Sequence, residues 1–368
     1  MRDPRLAKLA ELLVNYSNEV KPGDWSLIMG ELVTLPLLRE LYRAVLEAGG
    51  YPEIVLSDPE SGLLRVQLGN DEQLNWVSPL QEMALDKADV LFRVLGTDNT
   101  RRLSSADPSK LSTMRAAARP MFENYIKRAS TGDLRWVIAR FPTEANAQEA
   151  EMSLMEYEDF VFQACMVDEE DPVAAWRQVQ ADQDKIVAWL EGKKKLVAKG
   201  PHLDLQMSIA DRPFINCRGD DNMPDGEVFT SPVEGSVEGW IRFSYPSLEG
   251  GRKVEGAELI IKEGRVVEAK ADKGEDYLLS QLDTDEGARR IGEFAIGTNY
   301  GIQRATGDAL FDEKIGGSVH MAIGHGVPEA GGTNTSSIHW DMVTDMRDGG
   351  QIWVDDELLY ENGKFAIL

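Results

Sequence analysis

The sequence predicts two domains of different architecture. Residues 1–200 read as an α/β N-terminal domain with a mostly parallel sheet, and residues 201–368 as a β-rich α+β C-terminal domain. Three observations carry this expectation. Strand-like runs in the first half are separated by helical stretches, an order that builds a parallel sheet. Beyond Gly200-Pro201 the texture changes to short alternating segments punctuated by Gly and Pro. A chain of 368 residues also exceeds the usual single domain of about 150 residues.

Taken in order, Leu6, Leu9, Leu13 and Tyr16 recur at helical spacing, so the chain opens on a helix rather than on a signal peptide. Residues 25–30, 53–57, 88–95 and 134–140 are apolar runs that read as strands. Between them, 35–48 carries a helical stripe ended by Gly49-Gly50, and 107–127 reads as a second long helix. No GxGxxG follows the first strand, so a dinucleotide site is not expected. Residues 144–197 read as helical and end near Lys193-Lys194-Lys195, a run expected to be a solvated face. In the second domain 203–209, 239–243, 257–262 and 266–269 alternate as strands, with a helix expected near 284–296.

Charge narrows the partners. Lys and Arg number 39 against 63 Asp and Glu, a net charge of −24. Such a surface disfavours nucleic acid and anionic membranes, both of which need a basic counter-surface. No apolar run approaches the ~18 residues of a membrane span, and the protein is expected to be cytoplasmic. The two cysteines, Cys165 and Cys217, form no CxxC, so neither a disulfide framework nor a thiolate zinc site is indicated. Any metal would be held by imidazole and carboxylate. No Gly-x-Ser-x-Gly elbow is present, which disfavours a serine nucleophile. The Gly331–Ser337 stretch lacks a P-loop lysine and reads as a connection between strands.

The histidines are the most informative residues. The chain has four, and His320, His325 and His339 fall within 20 positions. In 318–324 the residues Val319, Met321 and Ile323 alternate with His320, which a strand would place on the opposite face. In 337–343 His339 and Asp341 share a face opposite Ile338, Trp340 and Met342. An imidazole and a carboxylate two residues apart on a strand reach one ion, although the same pattern also suits a surface hydrogen bond. His325 sits in a Gly-His-Gly turn and suits a structural role as well as a catalytic one, and His202 stands apart as structural. Glu227, at a strand start after Pro224-Asp225-Gly226, and Glu313, ahead of the His320 strand, are the carboxylates singled out by context. Such donors suit zinc, cobalt or manganese.

Six ordered segments then resemble the thermophilic aminopeptidase T (M29) family of metallo-aminopeptidases. They are residues 225–232, 235–239, 292–299, 312–314, 317–324 and 334–341, carrying Asp225-Gly226-Glu227, Gly292-Glu293-Phe294, Asp312-Glu313-Lys314, Val319-His320-Met321 and His339-Trp340-Asp341. The resemblance implies that the second domain is catalytic. It implies two divalent ions, zinc with cobalt or manganese as alternatives, held by Glu227, Glu293, Glu313, His320, His339 and Asp341. Glu293 would be the general base for an ion-activated water, the substrates short peptides with a free N-terminus, and the assembly a homodimer. The residues alone read Glu293 otherwise: on a helical wheel it points away from Ala288, Ile291, Phe294 and Ala295 and pairs with Arg289 at the surface. Glu313 likewise has a competing partner in Lys314. The family commonly carries a tyrosine seven residues after the first strand histidine; here that position is Val327, which has no side-chain donor. His325 could reach the same place, or another phenol could move in; otherwise the expectation is a slow enzyme or one with an altered substrate. Two alternatives stay open: a metal-dependent amide or ester hydrolase with an altered substrate, and a non-catalytic peptide- or metal-binding relative.

Overall fold

The computed structural model describes residues 3–249 and 251–368. They form two compact units, one comprising the residues up to Val173 with Gly219–Met223, the other Ala174–Arg218 with Pro224–Leu368.

The first unit is built on a five-stranded sheet in the order Tyr51–Ser57, Trp25–Glu31, Val90–Leu95, Arg135–Arg140, Asn222–Met223. Every pairing in it is parallel. Leu27, Ile28, Val90, Phe92 and Val137 are buried, as the apolar runs require. The helix Leu35–Glu47 turns Leu37, Leu38, Leu41, Ala44 and Val45 inward, at the spacing of one helical face. The opening helix Pro4–Leu12 is capped by Asp3, whose carboxylate accepts from the Arg5 amide at 2.9 Å. The long helix Pro108–Ser130 is capped by Asp107 in the same way.

Residues 144–197 are not one helical stretch. They form helices Glu144–Glu149, Leu154–Ala164 and Pro172–Leu190, and the lysine run then leads into the strand Lys195–Gly200. Lys193 pairs with Glu357 at 2.7 Å instead of only facing solvent. The helix Pro172–Leu190 sends Ile186 and Leu190 into the core of the second unit. The division into compact units therefore falls earlier than the change of texture at Gly200.

Besides a two-stranded antiparallel ribbon, Ser247–Glu249 with Arg252–Val254, the second unit holds two larger antiparallel sheets. The larger has eight strands in the order Arg265–Lys270, Glu258–Lys262, Glu238–Arg242, Leu203–Ser208, Lys195–Gly200, Gln351–Val354, Glu357–Glu361, Lys364–Phe365. The smaller runs His339–Asp345, Ser318–Gly324, Ile291–Gly297, Glu227–Thr230, Ile215–Cys217. Leu196, Leu205, Ile241 and Leu259 of the larger sheet share one hydrophobic core with Phe294, Val319, Met321, Ile323 and Trp340 of the smaller.

The helix expected at 284–296 is absent. The helix here is Glu275–Leu282, and Ile291–Gly297 is a strand buried along its whole length. Periodicity cannot separate a short, fully buried strand from a buried helix, because apolar residues then face both sides. Gly292 enforces the strand's position: a Cβ there would lie 2.2 Å from the carbonyl oxygen of His325.

Candidate metal centre

The smaller sheet of the second unit collects the predicted residues on one face. In strand register Glu293 lies opposite Ala322, and Ala322 opposite Asp341. His320 faces Ala295, His339 faces Gly324 and Glu227 faces Gly297. Each bulky polar side chain thus has a small residue beside it on the neighbouring strand. The Ala and Gly partners leave room for donors from four strands to converge. Glu227 opens its strand directly after Gly226, where φ is +119° and an added Cβ would lie 2.8 Å from Asn299 Cβ, so a side chain is excluded.

Glu293 is the hub. Its Oε1 lies 3.3 Å from His320 Nε2 and its Oε2 3.4 Å from His339 Nε2. Glu227 Oε2 lies 3.3 Å from His320 Nε2, and Asp341 Oδ2 3.2 Å from His339 Nε2. Two donor triads result, Glu227–Glu293–His320 and Glu293–His339–Asp341, each with its donor atoms within 4.8 Å of one another. Both imidazoles are held from behind: His320 Nδ1 donates to the Glu313 carbonyl at 3.1 Å, and His339 Nδ1 to the His325 carbonyl at 2.8 Å. Backbone carbonyls in these places fix the tautomer that leaves Nε2 to face the carboxylates. Glu227, Glu293 and His320 are 6%, 6% and 1% exposed, whereas the His339 side chain is 32% exposed and opens the site to solvent.

The electrostatics ask for cations. Burial works to raise the Glu293 carboxyl, but the two imidazoles outweigh it and hold it at about 2. Burial works to lower His320, yet Glu227, Glu293 and Asp341 push it up to about 9. His339 is pushed up to about 12 against burial by Asp341 and Glu293. Without an ion, protons on imidazole supply the positive charge that the carboxylates require. Two oxygens remain unsatisfied: Glu227 Oε2 and Asp341 Oδ1 are buried and receive no hydrogen bond among the described residues. Buried anionic oxygens left open beside imidazole nitrogens, in an oxygen-and-nitrogen donor set, fit a divalent ion.

Glu313 stands differently. It lies outside both triads, and its Oε2 accepts from Lys314 Nζ at 2.8 Å. Burial raises its carboxyl to about 7, with Asp341 and Glu227 reinforcing the shift and Lys314 opposing it. His325 contributes its carbonyl to His339 and its amide to the Ile338 carbonyl at 2.7 Å. Arg289, expected as the partner of Glu293, pairs with Asp283 instead at 2.7 Å.

Three participants escaped the sequence reading. Lys314, 4% exposed, bridges Glu313 and Glu227 Oε1, the latter at 2.9 Å. Its position beside Glu313 was visible, but its reach to Glu227 was not. Cys217 brings its sulfur within donor range of Asp225 and Glu227, and burial reinforced by those carboxylates holds the thiol well above its usual range. Gln183 donates to the Cys217 carbonyl at 2.8 Å, the Glu227 carbonyl at 3.2 Å and Thr298 Oγ1 at 3.0 Å. No motif marks a lone glutamine on a helix for that task. Beside the triads lies a cleft of about 240 Å³ whose lining includes Ser247, Glu249, Glu313, His339 and Asp341.

Known proteins share this arrangement of chain. Aminopeptidase T of Thermus thermophilus is 28% identical across 97% of this chain and 95% of its own. Aminopeptidase 2 of Geobacillus stearothermophilus is 26% identical across 94% and 93%. The solved structure of wild-type AmpT from Thermus thermophilus superposes with a TM-score of 0.84 at 26% identity, covering both chains completely. A 2,5-dihydroxypyridine dioxygenase from Pseudomonas putida, 15% identical with a TM-score of 0.61 over 98% and 96% of the two chains, shares the fold alone. The pattern of the thermophilic metalloprotease (M29) family matches residues 2–365. With that match spanning nearly its whole length, the chain belongs to the thermophilic metalloprotease (M29) family.

Proposed function

We propose that the protein is a metal-dependent aminopeptidase that removes the N-terminal residue from short peptides. One observation carries this reading: two donor triads share the single carboxylate of Glu293. That sharing supports a pair of divalent ions, zinc with cobalt or manganese as alternatives, held by Glu227, Glu293, His320, His339 and Asp341. Glu313 completes the acidic pocket through Lys314. When bound, the ions would supply Lewis acidity that polarises a peptide carbonyl and eases loss of a proton from the attacking water.

The chain's own residues supply the remainder. Glu293, set between the two imidazoles, is assigned the role of accepting the proton of the attacking water and returning it to the leaving amine. His325 is assigned the second catalytic role in place of the absent phenol; the Val327 side chain has no donor, and its backbone amide donates to Ser231 Oγ at 3.0 Å. The cleft is small and lined by carboxylates, which suits the free ammonium group of a peptide terminus. The enzyme is read as a cytoplasmic homodimer, which light scattering checks as twice the 40.9 kDa chain mass.

The test is hydrolysis of aminoacyl anilides with added zinc, cobalt or manganese, by wild type and by Glu227→Ala and His339→Ala. The reading expects metal-dependent turnover that both variants lose; equal rates in all three proteins reject it. Val327 favours one second reading, an amide hydrolase indifferent to a free α-amine. A preference for N-acetylated over free peptides in a side-by-side assay supports that alternative.

A further inference from the structure

The dipeptide Glu313-Lys314 touches one proposed ion ligand from each of two strands. The Glu313 carbonyl accepts from His320 Nδ1 at 3.1 Å, and Lys314 Nζ donates to Glu227 Oε1 at 2.9 Å. The same ammonium reaches Glu313 Oε2 at 2.8 Å, and Lys314 is 4% exposed. A buried ammonium with two carboxylate partners is a fixed charge, since separating it from either leaves an uncompensated ion in the interior. Glu227 is therefore held by one oxygen and left with the other, Oε2, buried, without a hydrogen bond and 3.3 Å from His320 Nε2.

We infer that Lys314 is a positioning residue that clamps Glu227 so that only Oε2 faces the ion, and that Glu313 acts on the centre through Lys314 rather than as an ion ligand. This rests on the metal-dependent reading above and departs from the ligand set that family resemblance implies. Four carboxylates, Glu227, Glu293, Glu313 and Asp341, surround the pocket, and Lys314 already neutralises one of them. The protein's own cation stands between Glu227 and Glu313, where a shared ion would otherwise sit.

The test uses full-length protein stripped with chelator and titrated calorimetrically with zinc or manganese. Lys314→Met is expected to weaken binding about 10- to 100-fold, the usual effect of removing a group that orients a metal ligand. Lys314→Arg is expected to recover most of that loss. The double variant Glu313→Gln/Lys314→Met is expected to bind no more weakly than Lys314→Met alone, because both side chains act along one path. Cobalt-loaded Glu313→Gln is expected to keep the wild-type visible absorption, since no ligand has changed. Should Lys314→Met fail to fold, the cobalt spectrum of Glu313→Gln and the affinity of Lys314→Arg still decide the matter. Losses that multiply in the double variant, a shifted cobalt spectrum in Glu313→Gln, or wild-type affinity in Lys314→Met each overturn the inference while leaving the metal centre intact. Wild-type protein that takes up no ion rejects the metal reading and this inference with it.

Discussion

His339 is held by His325: its Nδ1 donates a 2.8 Å hydrogen bond to the carbonyl of a residue 14 positions earlier in the chain. The bond ties the turn after one ligand strand to the imidazole of the next. Because the carbonyl does the holding, the His325 side chain is dispensable for placing His339. His325→Ala is therefore expected to keep ion affinity and to lose roughly 100-fold or more in kcat, the scale of a missing proton-transfer group. Calorimetry and steady-state kinetics on one preparation check this. Unchanged kcat removes His325 from catalysis.

Glu249 lines the cleft beside His339 and Asp341. Burial, reinforced by Asp341, raises its carboxyl above the usual range, and His339 opposes the shift. A second carboxylate that close to the reacting end suits recognition of a peptide ammonium. Glu249→Gln is expected to raise KM for free peptides by about 10- to 100-fold, one lost charge-assisted hydrogen bond of about 1.5–3 kcal/mol, with little change in kcat. KM values for peptides and for their N-acetylated forms separate this from a general defect, because only the free amine makes the lost contact.

Ion binding is expected to stabilise the fold measurably. The donors converge from four strands only when the sheet is formed, so the unfolded chain offers no comparable site. At 100 times the dissociation constant a single ion contributes about 2.7 kcal/mol. Adding zinc or manganese to chelator-treated protein is expected to raise the unfolding midpoint by several degrees, and Glu227→Gln to abolish most of that gain. Differential scanning calorimetry reads both.

Asp285 offers a test away from the ligands. Its carboxylate accepts from the Ser337 amide at 2.7 Å and from the hydroxyls of Ser337 and Ser336, both at 2.8 Å. These bonds, led by the Ser337 amide, hold it at about 2 against an ordinary 3.8. A lowered folded-state value means that the stabilisation is complete above the ordinary value and disappears as pH falls through about 2. Asp285→Asn is expected to melt earlier than wild type at neutral pH, with the gap closing below pH ~2. A gap that persists in acid assigns the effect to something other than the carboxylate charge.

How much of this was legible in sequence depended on pattern length. Alternation placed His320 and the His339–Asp341 pair on strands with the correct faces, because period-two patterns survive when only one side is apolar. The Glu293 strand lacked that contrast. In a regular alternation Ile291 and Phe294 fall on opposite faces, so its apolar residues matched a helical wheel better than a strand, and the wheel pointed Glu293 at solvent. Only family resemblance marked it, and the hub of the site was hidden from residue-level reasoning. Lys314 was hidden for another reason: its decisive partner, Glu227, is 87 residues away. Sequence spacing reports neighbours on one element and is silent about partners brought together by the sheet.

The Gln183 side chain has a practical corollary for dissecting the molecule. A polypeptide begun at residue 201, where the texture changes, would still encode every proposed ligand, yet it would lack the amide that ties the Glu227 backbone to Cys217 and Thr298. Such a fragment would contain the whole recipe for the centre without the brace that keeps its first strand in place. A fragment meant to keep that brace must therefore begin ahead of Gln183, within or before the helix Pro172–Leu190.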